Sequence, residues 1–541
     1  MRRGYDAQTT RLAALPEWVK AGRARFRRSP PEGANRRARR AVTRGPRGPV
    51  HPAGRPAGQL YPPRLSTVAT GPRGCAPPRI SLEHAQLTAT AVVLFTADLR
   101  VHDHPPLRAA LRAADEVVPL FVLDDGVRKA GFDAPNRMAF LADCLTALDA
   151  GLRDRGGRLV LRAGDVVEEV CRTVVQTGAA EVHVSAGSSG YAQRREARLR
   201  RALADLRVRL YVHDAVQTAL PPGAVVPAGS ARADHYAVFT PYHRRWAAER
   251  LRDCLPAPRR IPVPPGPGSL PLPERRAVAG VSPGAARGGE PEGRRLLTAW
   301  LRNGLADYAA TADRLDDAAT SGLSPHLHFG TLSPVETVAR ARKAGGAGAE
   351  AFVRQLCWRD FHHQVLAARP DAATADYRPR RDRWRTGPAA DRDAEAWRQG
   401  RTGYPVIDAA MRQLAHDGRL PGRARLLTAS FLTKTLYVDW RTGAAHFLSL
   451  LTDGDIAANQ LNWQWTAGTG TDTRPNRVLN PRLQAKRHDP DGSYVRRWVP
   501  ELTTLPAGVV HEPGGLAASL GYPDPVVDLA EGRDRFLRGR G

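Results

Sequence analysis

From Ala91 onward the chain alternates short β-prone runs with amphipathic helical stretches, and this pattern narrows its possible folds more than any other feature. The runs AVVLF (91–95), EVVPLFVL (116–123), RLVLR (158–162), EVHVS (181–185) and RVRLYVHD (207–214) are apolar or alternating. Between them lie segments such as NRMAFLADCLTALDAGLRDRG (136–156) and GYAQRREARLRRALADL (190–206), whose apolar residues recur at helical spacing. Strands linked through helices run parallel, and a parallel sheet must be covered on both faces. No GxGxxG follows the first strand, which runs instead into TADLRVHDH (96–104), so the usual dinucleotide fingerprint is absent.

Pro and Gly dominate 255–293, a composition that predicts an extended linker over the surface. Beyond it nearly every segment has helical spacing, including LLTAWLRNGLADY, SPVETVARARKA, AEAFVRQLCWRDFHHQVLAARP, GYPVIDAAMRQLAHDG and ARLLTASFLTKTLYVDW. Ser333, Pro334 and Glu336 predict a capping box with proline at the first helical position. The expected organisation is a basic extension over 1–88, a Rossmann-like parallel α/β domain over 89–220 and a connector over 221–293. An all-α domain over 294–530 and a tail over 531–541 complete it. Residues 1–88 lack sustained periodicity and hold too few large apolar side chains to offset ordering entropy, so they are expected to be mostly disordered. Their Arg-rich character suits a transit peptide or an upstream misassigned start equally.

The 541 residues carry 81 Lys and Arg against 54 Asp and Glu, a net charge of +27. Residues 1–80 hold 18 basic and 3 acidic residues, or +15, which leaves +12 for the body. That excess fits a polyanion such as nucleic acid and fits a merely solvated basic surface as well. No apolar run reaches the ~18 residues of a membrane helix. Five widely spaced cysteines with no CxxC pair argue against a disulfide framework and a zinc site, and fit a reducing cytoplasm.

Three clusters in the helical half place polar and aromatic residues where a core would not. Around residue 353, Val353, Leu356, Cys357, Phe361 and Val365 should face the core, which leaves Gln355, Trp358, Arg359 and His362 on another face. That face suggests a wet cavity wall, although a snorkelling Arg beside an amphipathic Trp would look the same. In TSGLSPHLHFG (320–330), small hydroxyl residues and Gly322 precede Pro325 at a helix start, an arrangement suited to a pyrophosphate and shared by many helix caps without ligands. In DGDIAANQLNWQWTAGTGTD (453–472), Asp453 and Asp455 precede Asn459, Trp463 and Trp465. The acidic pair lacks EF-hand spacing, so hydrogen bonds to a ligand or a salt bridge to Arg425 explain it better than a metal.

At these clusters the chain resembles the photolyase/cryptochrome family, and within it the class I cyclobutane-dimer photolyases of bacteria. The resemblance covers about 91–528 and runs in order through LFTADLRVHD, YAVFTPYHRRW, TSGLSPHLHFG, QLCWRDF, GYPVIDAAMRQL, TASFLTKTLYVDWR, DGDIAANQLNWQW, WVPEL, VHEP and YPDPVV. It implies an antenna-binding α/β domain and a helical domain that holds a bent FAD. Tyr308, Thr320, Ser321, Gly322, Leu323 and Ser324 would then hold the FAD phosphates. Asp453, Gly454 and Asp455 would reach the ribityl and isoalloxazine groups, with Arg425 paired to Asp453 and Arg359 among the cofactor contacts. Asn459 would lie beside flavin N5. Trp463, Trp440 and Trp384 match the family's electron-transfer chain.

The implied reaction is light-driven repair of UV-damaged DNA, with Gln355, Trp358, His362, Gly422, Arg423, Trp465 and Gln484 on the lesion side. Several positions depart from the family pattern. Gln355 stands where many dimer photolyases have Glu, and Gly422 replaces an Asn that contacts flavin and DNA. Ala312 replaces a DNA-contacting Arg, with Arg314 nearby. A cryptochrome-like photoreceptor and a (6-4) photolyase are the alternatives. The stretch FVLDDGVRKAGFDAPNRMAFL (121–141) is similar to the type that binds 8-hydroxy-5-deazaflavin, which favours that antenna over methenyltetrahydrofolate and implies contacts from Asp124 and Arg137. Gly187 stands against it, where an acidic contact is expected. A soluble monomer in the cytoplasm, nucleoid-associated when bound to DNA and using no metal, completes the expectation.

Overall fold

The structure, a computed structural model, describes residues 88–227, 234–315 and 320–540. Except for Thr88, the segment expected to be disordered lies outside the described residues. Five parallel strands, β1 (Thr90–Phe95), β2 (Glu116–Asp124), β3 (Val160–Gly164), β4 (Glu181–Ser185) and β5 (Arg209–His213), form one sheet in the order β3-β2-β1-β4-β5. Central β1 is buried along its whole length, as a strand covered on both faces must be.

Side chains alternate across a strand, so β1 feeds two cores. Ala91, Val93 and Phe95 pack with Leu107 and Ala110 of α1 (Pro105–Ala113) and with Phe140, Leu145 and Leu148 of α2 (Pro135–Arg153). Val92 and Leu94 pack with Val170 and Val174 of α3 (Val166–Thr177) and with Leu199 and Leu203 of α4 (Gly190–Asp205). Asp165 starts α3 by accepting from the amides of Val167 and Glu168, and Gly178 ends it at φ 63°. β3 begins two residues later than its sequence pattern suggests, because the Leu159 amide is already bonded to Asp149 on α2 at 2.8 Å.

The Pro/Gly-rich connector is extended, as expected, but it is docked rather than loose. Ile261 is fully buried in the α1–α2 core. The amides of Val117 and Leu270 donate to the carbonyls of Pro262 and Leu161 at 2.8 and 2.9 Å, which fixes the strap along the sheet. The expected capping box is half formed. Ser333 Oγ accepts from the Glu336 amide at 3.2 Å, at the start of α6 (Pro334–Ala344). The Glu336 carboxylate does not reach back; it pairs with His102 at 3.2 Å and Arg294 at 2.8 Å.

The helical region is arranged around α7 (Gly346–Ala368), which packs against α6, α5 (Phe239–Ala248) and α10 (Ile456–Ala467). Val353, Leu356, Cys357, Phe361 and Val365 face the core as their spacing predicts. Of the expected wet wall, Gln355 is exposed and Trp358 and Arg359 are half-buried, but His362 is buried, as are Asp360, His363 and Gln364 beside it. Asp360 accepts from the amides of Ala219 and Leu220 at 3.0 and 3.1 Å and from Trp246 Nε1 at 3.0 Å. Burial raises its pKa, against the opposing pull of Arg359 and these donors. Asp360→Ala would leave the donors buried without an acceptor. The expected cost is about 3 kcal/mol or more, read as a lowered guanidinium midpoint; an unchanged midpoint would contradict this role.

Candidate functional site

The loop that leads into α10 carries Asp453, Gly454 and Asp455. Asp455 is the N-cap, and its Oδ1 accepts from the Ala458 amide at 3.0 Å. Its Oδ2 lies 3.0 Å from His363 Nε2 and 3.5 Å from Arg359 Nε, both on α7. Asp453 Oδ2 accepts from Arg425 Nη2 at 2.9 Å, so the pair foreseen in the sequence forms, with Arg425 on α8 (Gly422–Ser430). Gly454 has φ 47°, and a Cβ there would lie 2.6 Å from Arg137 Cδ, so only glycine fits.

Electrostatics follow from this packing. Burial pushes the Asp455 carboxyl up, but His363, Arg359 and His328 outweigh it and hold the group well below the usual carboxylate range. Burial pushes His328 and His362 down to about 4, so both rings are neutral at pH 7. His362 Nε2, on the ring beside Asp455, is buried with no hydrogen-bond partner among the described residues. Buried polar atoms are nearly always bonded. A ring system with a polar edge and hydroxylated chain, as in FAD, fits this orphan nitrogen beside the Asp453–Arg425 and Asp455–Arg359 pairs.

Arg359 connects the loop to a second expected segment. It donates to Leu327 O at 3.2 Å, in the short helix Ser324–His328, and to Gln217 O. Thr320, Ser321 and Gly322 are half-buried just before that helix, Leu323 is buried and Ser324 is exposed. Gly322 has φ 64°, and the Leu323 amide bonds Ser321 Oγ at 3.4 Å. Tyr308 stands edge-on to Trp300 and Phe352 at 5.3 and 5.8 Å, and burial pushes its phenol up to about 12. Asn459 is buried and donates to Ala444 O at 3.2 Å and Gln460 Oε1 at 3.1 Å.

Trp463 is buried against Gly443 of α9 (Trp440–Leu450), where a Cβ would come within 2.1 Å of the indole. Gly443 is one turn from Trp440, so Trp463 lies over the α9 face that carries Trp440. Trp440 is fully buried, donates to Asp376 at 2.8 Å and lies 4.7 Å from the Arg441 guanidinium. Trp384 is half-buried, 5.1 Å from the Tyr437 ring. Trp397, not singled out in the sequence, meets Trp463 edge-on at 6.0 Å.

The residues expected on the lesion side are less uniform. Gln355 is exposed and Trp465 half-buried. Trp358 is also half-buried, but Phe239 of α5 stacks on it at 3.7 Å and 5°, so one indole face is already covered. Phe239 was legible only as part of YAVFTPYHRRW, because nothing local marks which helix it meets. Gly422 opens α8 with free space where a Cβ would go, whereas the Arg423 guanidinium is ion-paired to Asp313 rather than left for phosphate. Gln484 is half-buried with Oε1 unpartnered.

The antenna pair is separated in its bonding. Asp124 accepts from the Gly126 amide at 2.8 Å and from the Tyr191 hydroxyl. Arg137 donates to the carbonyls of Phe132 and Leu451, both at 3.0 Å, and to that of Leu448, so it ties α2 to the loop before Asp453. Among the described residues no group of three or more His, Cys, Asp or Glu is arranged for a metal, and no helix is long and apolar enough to cross a membrane.

A parallel α/β domain joined to a helical domain with this acidic, Arg-paired loop defines the class of flavin-binding photolyases and cryptochromes. Residues 91–264 match the family model described as DNA photolyase, and 352–540 match the FAD binding domain of DNA photolyase. A deoxyribodipyrimidine photo-lyase of Streptomyces griseus is 65% identical over 457 residues, 84% of this chain and 99% of that protein. A bacterial class III photolyase from Agrobacterium tumefaciens superposes with a TM-score of 0.76 at 30% identity, covering 85% of this chain and 98% of its own. An archaeal photolyase from Sulfolobus tokodaii, solved with two FAD molecules, gives 0.72 at 28%, covering 83% and 99%. The chain belongs to the photolyase/cryptochrome family, and its helical domain is that family's FAD-binding domain.

The neutral buried histidines give this site a pH signature. Unfolded His362 takes up a proton near its ordinary 6.5 and the folded ring only near 4, so its share of stability is complete above pH 6.5 and lost as pH falls towards 4. His362→Phe removes that loss. The stability difference between variant and wild type should therefore shift in favour of the variant from pH 6.5 to pH 4; parallel pH profiles in urea denaturation would contradict the assignment.

Proposed function

We propose that this chain is a light-dependent DNA-repair enzyme, a class I photolyase that acts as a carbon–carbon lyase on cyclobutane pyrimidine dimers. The observation that carries this reading is the buried cradle of Asp453–Arg425 and Asp455–His363–Arg359 in a chain that shares 65% identity with a deoxyribodipyrimidine photo-lyase. When bound, reduced FAD supplies the blue-light-driven one-electron chemistry that opens the cyclobutane ring.

The protein supplies position, field and exclusion of water. Asp453, Gly454, Asp455 and Arg359 would hold the ribityl and isoalloxazine groups, Asn459 would sit beside flavin N5, and Tyr308 with Thr320–Ser324 would hold the phosphates. The half-buried Trp358 would meet a dimer turned out of the duplex, with Gln355, His362, Gly422, Trp465 and Gln484 around it. Arg423 reaches DNA only by exchanging Asp313 for phosphate. Trp463, Trp440 and Trp384 would carry electrons inward from the half-buried end at Trp384, because indoles are readily oxidised side chains.

The antenna is a deazaflavin, held with help from Asp124 and Arg137. A flavin-like antenna has a parallel in the Sulfolobus protein, whose second FAD is linked to a novel light-harvesting cofactor. The enzyme acts as a monomer on UV-damaged DNA in the cytoplasm, and its affinity falls with salt as phosphate contacts are screened.

The purified, FAD-loaded protein should restore thymine-dimer DNA under blue light and not in darkness; equal activity in the two conditions, or none, would promote the photoreceptor reading. Trp384→Phe keeps most of the ring volume but is far harder to oxidise. Photoreduction of oxidised FAD by an external reductant should slow at least tenfold in this variant, whereas repair by chemically reduced enzyme stays near the wild-type rate.

A further inference from the structure

One buried chain of polar groups crosses from the α/β domain to the loop before α10 and is not explained by the family motifs. Ser188, in the turn before α4, places Oγ 2.6 Å from His363 Nδ1. The other ring nitrogen, Nε2, lies 3.0 Å from Asp455 Oδ2. All three residues are buried, at 8%, 6% and 7% exposure, so bulk water competes little for these bonds. We propose that Ser188 and His363 are positioning residues for the flavin site: Ser188 sets the tautomer of His363, and His363 in turn orients the Asp455 carboxylate.

The proton count supports the assignment. Asp455 is held ionised and can only accept, so His363 Nε2 carries a hydrogen. A ring with its single hydrogen on Nε2 leaves Nδ1 as an acceptor, and among the described residues the Ser188 hydroxyl is the donor within reach. No bond in the chain is left with two donors or two acceptors. The second Asp455 oxygen is used by the α10 cap, so the His363 bond completes the carboxylate's orientation. Arg359 at 3.5 Å supplies charge but is bonded to the carbonyls of Gln217 and Leu327. This is the relation seen where a histidine that fixes a functional group has its own tautomer fixed by an outer partner.

A purely architectural role, in which Ser188 only docks the two domains, gives a different outcome. The proposal rests on the reading of Asp455 as a flavin contact, and two measurements separate the failure of one from the failure of the other. Long-range ¹H–¹⁵N histidine spectra of the holoenzyme should show His363 with hydrogen on Nε2 alone, changing to mixed tautomers in Ser188→Ala. The rate of FAD loss on dilution should rise three- to tenfold in Ser188→Ala, return to within twofold of wild type in Ser188→Thr, and rise more than tenfold in His363→Leu. An unchanged tautomer in Ser188→Ala overturns the relay. A changed tautomer with FAD loss within twofold of wild type overturns the positioning role and leaves a docking contact. A wild-type chain that retains no FAD overturns the functional reading itself, and with it this proposal.

Discussion

A polar stripe on a buried helix has to be satisfied by something other than water, and α7 meets that requirement by binding most of the rest of the molecule. Arg359 holds the carbonyls of Gln217 and Leu327, Asp360 holds two amides and an indole of the connector region, and His363 holds Ser188 and Asp455. Gln364 exchanges two hydrogen bonds with the Tyr236 backbone at 3.0 and 2.8 Å. Four polar residues within two turns of one helix thus locate the α/β domain, the connector, the short helix at Ser324 and the Asp453–Asp455 loop relative to one another.

The same arrangement accounts for the character of the site. Charged and hydrogen-bonded neighbours keep Asp455 ionised, and burial keeps His328 and His362 neutral at pH 7. A fixed field of this kind needs no reorganisation when charge moves, which suits one-electron chemistry on a bound cofactor. The tryptophans obey a different rule. Trp463 and Trp440 are packed as core and Trp384 reaches the surface, so burial rather than hydrogen bonding decides which end of the series meets water.

Local signals suffice where local physics decides. The strands, helices and the Arg425–Asp453 pair were legible because period, capping residues and complementary charge act over short stretches or within a shared motif. The details that failed to transfer were set by distant groups. Glu336 abandons its capping box for Arg294 and His102, the Pro-rich strap docks through Ile261, and Phe239 covers a face of Trp358 that the helix pattern left open. Arg423 is similar: its motif points to DNA, but the nearest anion in the fold is Asp313.

By itself, then, the amino-acid order determined a parallel α/β unit followed by a helical one, and the residue types that can hold a flavin and move electrons, since periodicity and motif chemistry are properties of the chain. Tertiary structure alone decided how the polar residues of α7 are shared out. Ser188, His363 and Asp455 lie far apart in sequence, and no propensity links them. They meet because burying α7 leaves each of its polar atoms in need of a partner, and folding brings the remaining candidates within 3 Å.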